Sequence, residues 1–498
     1  MVFSMENKIK NINFLICKGG RLILFTEFLV ILLSVFIILN IVFCFVVVFF
    51  ERKNPAVTWA WLMVLTFLPV IGFIVYLIFG FDGKKSYKFI RKAKNDDILF
   101  ELYDKQTKKY ENNINDFTDA QKSIVNLNKR SSNSMLYCDN SVKMFHEGKS
   151  KFKSMLEDIK NAKSYIHMEY YIIRNDTLGE TIINALAEKA AAGVEVKFLV
   201  DGIGNMLNSK KLYQPLIKAG GKVEIFLPPY FFRINYRDHR KICIIDGKYG
   251  YIGGLNIGNE YLGIVKRFNF WRDTHLRIEG SCLKELELRF IADWNFASKN
   301  VIKPDIKYFP DIKFKGDKKI QIVSSGPDSH YDSIRHCYFK MMTYAKKSIY
   351  VQTPYFVPND SILEALRTSA LSGVDVRIMI PNNPDHPFVY WASLSYLGEL
   401  LNAGVKCYKY KNGFIHSKVV TIDSEICSVG TANMDIRSFS LNFEVNAFIF
   451  DNQLSEELNK EFYNDLKYCD EILYDEYKKR SNIVKIKESF SRLISPML

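Results

Sequence analysis

The hydrophobic pattern divides the chain before any motif is consulted. Phe28 to Phe50 is an apolar run without a charge, and Asn54 to Phe81 is a second, with Trp59 and Trp61 near one end and Tyr76 near the other. About 20 apolar residues in a helix cross a bilayer, so each run is long enough to span, and interfacial aromatics suit the second. Pro69 inside the second run predicts a kink or a re-entrant path. The first run lacks a small-residue cleavage site and a second run follows at once, which argues against a removable leader. Residues 1–81 are therefore read as a membrane anchor folded into a hairpin of two spans.

Beyond the second run the pattern changes twice. Residues 82–134 are polar and rich in Lys and Asn, and read as a basic linker, helical or loose. From residue 135 the chain repeats itself at a period of about 180 residues, too long for a solenoid and suited to a duplicated domain. Ala162-Lys-Ser-Tyr-Ile-His-Met-Glu-Tyr-Tyr-Ile is echoed by Ala345-Lys-Lys-Ser-Ile-Tyr-Val-Gln-Thr-Pro-Tyr-Phe, and Gly193-Val-Glu-Val-Lys-Phe-Leu-Val by Gly373-Val-Asp-Val-Arg-Ile-Met-Ile. Each copy reads strand, helix, strand, short helix, strand, then a hairpin-like strand pair. Gly193 and Gly373 stand where a helix C-terminal cap is wanted, and Val196 to Val200 and Val376 to Ile380 are β-branched and turn-bounded, as buried strands are. The copies are placed at 135–315 and 316–498, each an α/β unit with helices on both faces of its sheet.

Charge refines this picture. The 498 residues carry 68 basic and 54 acidic side chains, a net charge of +14. Lys8, Lys10, Lys18 and Arg21 precede the first apolar run, and Lys84, Lys85, Lys88, Arg91, Lys92 and Lys94 follow the second. The loop between them holds only Arg52 and Lys53 against Glu51. Positive flanks stay inside, so both termini and the two repeats are expected on the cytoplasmic face of the cell membrane, in a multi-pass protein. The basic cluster after the second run would also lie against anionic headgroups. Nine scattered cysteines without a C-x-x-C exclude zinc ribbons and thioredoxin-type centres, and read as free thiols.

The candidate chemistry stands at the end of each repeat. His239-Arg-Lys241-Ile-Cys-Ile-Ile-Asp246 is followed by Gly253-Gly254-Leu-Asn256, and His416-Ser-Lys418-Val-Val-Thr-Ile-Asp423 by Gly430-Thr431-Ala-Asn433. Both read H-x-K-x-x-x-x-D, then G-[GT]-x-N. Alternate residues of a strand share a face, so each His and Lys point the same way. The Gly-Gly or Gly-Thr turn would let backbone approach an oxyanion, and each Asn could donate a hydrogen bond to it. Two imidazoles, two ammonium groups and two amides in one cleft suit a phosphodiester, its oxygens neutralised and its phosphorus open to in-line displacement.

The doubled pattern resembles the phospholipase D superfamily. Glu51-Arg-Lys-Asn-Pro-Ala-Val-Thr-Trp-Ala-Trp, Met168-Glu-Tyr-Tyr-Ile, Tyr236-Arg-Asp-His-Arg-Lys, Asn256-Ile-Gly-Asn-Glu-Tyr, Trp271-Arg-Asp-Thr-His-Leu-Arg-Ile-Glu-Gly and Asn442-Phe-Glu-Val-Asn are similar to bacterial cardiolipin synthases, from about residue 20 to the C-terminus. Asn259, where Asp is expected, and Arg267-Phe-Asn-Phe before Trp271 depart from that pattern. The resemblance implies an α/β chain with an N-terminal transmembrane helical hairpin and two tandem phospholipase D-like α/β/α sandwich domains forming one catalytic core. It implies phosphatidylglycerol as both donor and acceptor, a phosphatidyl-histidine intermediate, the membrane as partner, and no metal, cofactor or nucleic acid. His239, Lys241, Asp246, His416, Lys418 and Asp423 become the catalytic set, and Asn256, Asn433, Gly254, Thr431, Glu260 and Glu444 the substrate-binding set. Asp246, Asp423, Glu260 and Glu444 are the candidates to orient the imidazoles. Either histidine could be the nucleophile.

Other features weigh less. Asp201, Asp328 and Asp385 read as turn or cap residues, His275 as a hydrogen-bonding neighbour of the site, His386 as a surface loop residue, and Tyr170 and Tyr171 as core or cleft lining. Ile483, Ile486, Phe490, Leu493 and Ile494 fall on one helical face, which docks on the core or enters the membrane interface. A hydrolytic phospholipase D, a phosphatidylserine synthase, a nuclease and a non-catalytic scaffold are the rival readings. The scaffold predicts decay of one motif, yet both are intact.

Overall fold

The structure is a computed structural model, and it describes residues 27–49, 55–76, 80, 87–107, 114, 116–228, 235–303 and 305–495. The flanking Lys8, Lys10, Lys18 and Arg21, the loop residues Glu51, Arg52 and Lys53, and Lys84 and Lys85 lie outside the described residues. The chain divides into two compact units, Met1–Gly83 and Lys84–Leu498.

In the first unit, Glu27–Phe49 is a helix long and apolar enough to cross a membrane. The second apolar run is two helices, Pro55–Phe67 and Pro69–Val75, broken at Leu68 (φ −127°, ψ 66°). Proline has no N–H to continue the ladder, so the kink expected at Pro69 is present, and neither piece alone has the length of a span. Beyond the break the chain approaches closely: a Cβ on Gly72 would sit 2.4 Å from the Val64 carbonyl oxygen. The two runs pack together through Val47, Leu65 and Tyr76. Phe43 meets Phe73 and Tyr76 edge-on, with centroids 5.0 and 5.6 Å apart.

The second unit is built on one continuous mixed sheet. In the first repeat Tyr165–Tyr170 is central, parallel to Glu195–Asp201 and antiparallel to Lys241–Ile245. In the second, Ser348–Gln352 is likewise parallel to Asp375–Pro381 and antiparallel to Val419–Ile422. Period-2 alternation sorts the side chains. Ile166, Met168, Cys243 and Ile245 face helices Gly148–Asn161 and Thr177–Ala191, while Tyr165, Ile242 and Ile244 face helix Leu283–Ala297. Helices thus cover both sides, as a sheet with two apolar faces requires. Gly193 and Gly373 end their helices with φ of +90° and +93°, the left-handed conformation a C-terminal cap demands.

One strand joins the two repeats. Leu136–Phe145 pairs with Lys318–Ser325 through its first half and with His275–Glu279 through its second. At the change of partner Asn140 donates to the carbonyls of Tyr137 and Lys318 and accepts from the Cys282 N–H, so the interruption leaves few backbone groups bare.

The segment read as a linker is part of this unit. Helices Tyr87–Thr107 and Asp119–Ser132 are amphipathic and pack on the repeats. Phe89 lies against Tyr236, Phe296 and Phe443. Lys92 is buried and pairs with Asp96 at 2.7 Å, Asp293 at 2.9 Å and Asp328 at 2.7 Å. Burial and the nearby Arg289 oppose its charge, but the three carboxylates outweigh them and hold its pKa above the ordinary lysine value. Polar composition concealed a docked helix because its buried face carries a charge where an aliphatic side chain is usual. Removing Lys92 would strand buried carboxylates, so Lys92→Met is expected to destabilise the protein by about 3–5 kcal/mol. A thermal melt of the purified protein in detergent, compared with exposed Lys94→Met as the neutral control, checks this.

Candidate active site

Two short parallel pairings bring the repeats together at the predicted motifs. Arg237–Asp238 pairs with Asn442–Phe443, and Phe414–Ile415 pairs with Trp271–Arg272. Each delivers a histidine: the His239 N–H donates to the Phe443 carbonyl at 2.9 Å, and the His416 N–H to the Arg272 carbonyl at 2.7 Å. The residue after each acceptor is a carboxylate. Glu444 lies 2.9 Å from His239 Nδ1, and Asp273 lies 2.8 Å from His416 Nδ1. Each repeat therefore supplies the carboxylate that orients the other repeat's imidazole. A carboxylate at Nδ1 fixes the proton there and turns Nε2 outward as the reactive nitrogen.

Both lysines share their histidine's face, as strand alternation requires. Lys241 Nζ donates to the His239 carbonyl at 2.6 Å and Lys418 Nζ to the His416 carbonyl at 2.6 Å. The pKa of His239 falls well below the usual imidazole value through burial first, then the charges of Lys241, Lys418 and His416. That of His416 also falls, through burial and Lys418, but Asp273 opposes the shift. Burial pushes Glu444 up to about 7 and brings Lys241 down to about 7 and Lys418 to about 8. Burial thus disfavours charge throughout the site, most firmly on His239, while Asp273 favours the protonated form of His416.

The motif aspartates do not reach the imidazoles, contrary to expectation. Asp246 and Asp423 sit at φ of 54° and 53° on the far ends of their strands, each opening a tight turn in which the next residue is also left-handed. The turn closes by Lys248 N–H to Ile245 carbonyl in one repeat and Glu425 N–H to Ile422 carbonyl in the other. Asp246 accepts from the backbone N–H groups of Lys163, Ser164 and Tyr165, and Asp423 from those of Lys346, Lys347 and Ser348. Asp tolerates the left-handed turn and satisfies three donors at the start of the central strand, so its role is to tie the hairpin to the sheet.

The binding set is rearranged as well. Glu260 pairs with Arg174 at 3.2 Å rather than with a histidine. Gly254 leaves room for a side chain rather than for an oxyanion: a Cβ there would lie 2.0 Å from Asp273 Oδ1. Its counterpart Thr431 donates its hydroxyl to Glu444. Position two of the G-[GT]-x-N element thus serves the orienting carboxylate in both repeats. Asn256 and Asn433 are buried beside the motifs, each with its amide oxygen unpartnered among the described residues. Asn256 donates to the Tyr261 hydroxyl at 3.0 Å.

Three residues of this site stand inside the quoted segments but were given no role from the sequence. Asp273 is the first. Arg240 is buried, pairs with Asp293 and donates to the Glu444 carbonyl at 3.2 Å. Arg272 donates to the Asp273 carbonyl at 2.7 Å and to Ser417 Oγ at 3.3 Å. Both brace the backbone of an orienting carboxylate. Tyr171 lines the cleft, its ring edge-on to His239 at 5.0 Å. Asp201 caps a turn, Asp328 holds Lys92 and Asp385 accepts from Tyr355. His275 is buried next to Gly253, without a hydrogen-bond partner among the described residues. Among the described residues no group of three or more His, Cys, Asp or Glu could hold a metal ion.

Comparison with known proteins follows the same lines. The family described as "Cardiolipin synthase, PLD-like domain" matches residues 155–294 and 338–466, and "Phospholipase_D-nuclease N-terminal" matches residues 38–80. The chain is 48% identical to the major cardiolipin synthase ClsA of Bacillus subtilis over 94% of this chain and 99% of that protein. It is 47% identical to a cardiolipin synthase of Staphylococcus aureus over 94% of this chain and 97% of that protein. In fold it is similar to a phosphatidylserine synthase of Haemophilus influenzae, with TM-score 0.59 and 16% identity, covering 76% of this chain and all of the other.

Two measurements test the geometry. Asp273→Asn and Glu444→Gln are each expected to lower turnover roughly 10²- to 10⁴-fold, since each loosens an imidazole. Asp246→Ala is expected instead to cost about 1.5–3 kcal/mol of stability through lost charge-assisted hydrogen bonds, with turnover per folded molecule within tenfold. Melting curves alongside initial rates separate the two. In the pH profile, lysines with lowered pKa are charged below that value and neutral above it. kcat/KM for a phosphodiester substrate is therefore expected to decline as pH rises through about 7 to 8, where Lys241 and Lys418 lose their protons. A flat profile across that range contradicts the assignment.

Proposed function

The chain belongs to the cardiolipin synthases built from phospholipase D-like domains, and on that premise we propose how its residues transfer a phosphatidyl group between two molecules of phosphatidylglycerol. The crossed His–carboxylate pairs carry the reading. One phosphatidylglycerol places its phosphate between the imidazoles, with Lys241 and Lys418 against its oxygens. His239 Nε2 attacks phosphorus, and the bond to the headgroup glycerol breaks. His416, protonated at Nε2, gives that proton to the departing glycerol oxygen. The phosphatidyl-histidine is then attacked by the terminal glycerol hydroxyl of a second phosphatidylglycerol, whose proton returns to His416. Cardiolipin leaves, and both histidines are as they began. The covalent step divides one difficult displacement into two, and no nucleotide, metal or other cofactor enters the balance.

The pseudo-symmetric motifs leave the order of the histidines open, and their surroundings favour one order. Asp273 stabilises the imidazolium of His416, which suits an acid that must carry a proton. His239 is held more firmly neutral, which suits a nucleophile. The lipid substrate and the positive-inside asymmetry support placing the second unit at the cytoplasmic face of the cell membrane, with the kinked second apolar run completing a hairpin. Asp246, Asp423 and Glu260 have no part in this mechanism. Gly254 and Thr431 act through the carboxylates, and Asn256 and Asn433, buried beside the motifs, are the amides assigned to donate to the phosphate.

Pure phosphatidylglycerol offered to the solubilised protein is expected to yield cardiolipin and glycerol in equal amounts. Phosphatidic acid as the main product would instead mark a hydrolase. An acid-labile radiolabelled phosphatidyl adduct is expected on the enzyme and is expected to vanish in His239→Ala. Its survival there and loss in His416→Ala would exchange the two roles.

A further inference from the structure

The C-terminal helix Asn482–Ile494 is docked in an unusual sense. Its polar side faces the protein: Glu488 is 2% exposed and accepts from the Tyr477 hydroxyl at 3.0 Å and Arg480 Nε at 2.8 Å. Ser495, just beyond the helix, is buried 3.1 Å from the Tyr396 hydroxyl. Arg492 pairs with Glu399. The apolar side faces outward, with Ile483, Ile486, Phe490 and Leu493 exposed by 68%, 67%, 54% and 78%. At about 100° per residue these four span an arc of about 80°, opposite the docked side. An amphipathic helix that served only the core would be turned the other way.

We infer that this outward stripe is a docking surface for the headgroup–acyl boundary of an anionic bilayer, a point of lipid contact separate from the N-terminal apolar helices. Three observations favour a bilayer as occupant. First, the charge is complementary. From Lys478 to Ile494 the one acidic residue is the buried Glu488, while Lys478, Lys479, Lys485 and Lys487 are exposed. Exposed cations beside an apolar stripe are the composition of an interfacial helix. Second, the patch continues onto a neighbouring helix. Phe388, itself 51% exposed, lies 6.3 Å from Phe490, and Lys487 sits over the Trp391 ring at 5.2 Å. Third, that neighbouring helix, Pro387–Leu401, starts beside the site. Asp385, two residues before its start, accepts from Tyr355, and its charge is felt at Lys418. A bilayer seated on the stripe would thus lie against the element that leads to the second motif.

The test uses the full chain in nanodiscs containing phosphatidylglycerol. With Phe490 replaced by photoreactive p-benzoyl-phenylalanine, irradiation is expected to give a lipid adduct, at several times the yield from the same replacement at Leu371, an exposed apolar residue of helix Asp360–Leu371. A chain-to-chain adduct, or lipid yield no higher than at Leu371, overturns the inference. This arm needs no turnover, so it stands or falls apart from the proposed reaction. In mixed micelles, Ile486→Glu with Leu493→Glu is expected to raise the half-saturating surface fraction of phosphatidylglycerol about three-fold or more, by weakening interfacial binding. An unchanged value also overturns it.

Discussion

The fold depends on an exchange between its halves. Glu444 of the second repeat holds His239 of the first, and Asp273 of the first holds His416 of the second. The backbone repeats the exchange one residue earlier, where Phe443 and Arg272 receive the histidine N–H groups. A single repeat would contain a histidine without its orienting carboxylate and a carboxylate without its histidine. The reactive centre exists only where both meet, which is why the two halves share a sheet, a joining strand and a buried ionic cluster.

That cluster extends the same logic to the segment before the repeats. Lys92 meets Asp293 of the first repeat and Asp328 of the second, and Asp293 also pairs with Arg240, the neighbour of His239. Three carboxylates against Lys92, Arg240 and Arg289 are tolerable in the interior only because every charge has a partner. Helix Tyr87–Thr107 is thereby fixed to the ground on which His239 stands.

How much of this could be read from the sequence follows from which interactions are local. His239 with Lys241, and His416 with Lys418, are two residues apart on strands, so alternation alone put each pair on one face. The repeat likewise exposed the succession of elements along each copy and the capping glycines. Asp246 misled because it shares the motif's spacing while lying at the opposite end of the strand, where turn geometry and three backbone donors hold it. Glu260 stood closer in sequence to its motif than Asp273, yet proximity along the chain says nothing about a partner on another repeat. The missed signal was comparative. Asp273 and Glu444 each follow the second residue of a short parallel crossing, and aligning Trp271-Arg-Asp with Asn442-Phe-Glu would have matched them. The docked helix around Lys92 was hidden for another reason: its anchoring interaction is ionic, and hydropathy cannot distinguish a buried lysine from a solvated one.

The swapped carboxylates are what a two-fold axis between identical protomers would produce, with each protomer completing its twin. Joining the copies in one polypeptide frees them from having to remain alike. One side has become aspartate beside a glycine, the other glutamate beside a threonine that donates to it. Held in one polypeptide, the two halves can differ, as the separate roles proposed for His239 and His416 require, without either losing the companion it needs.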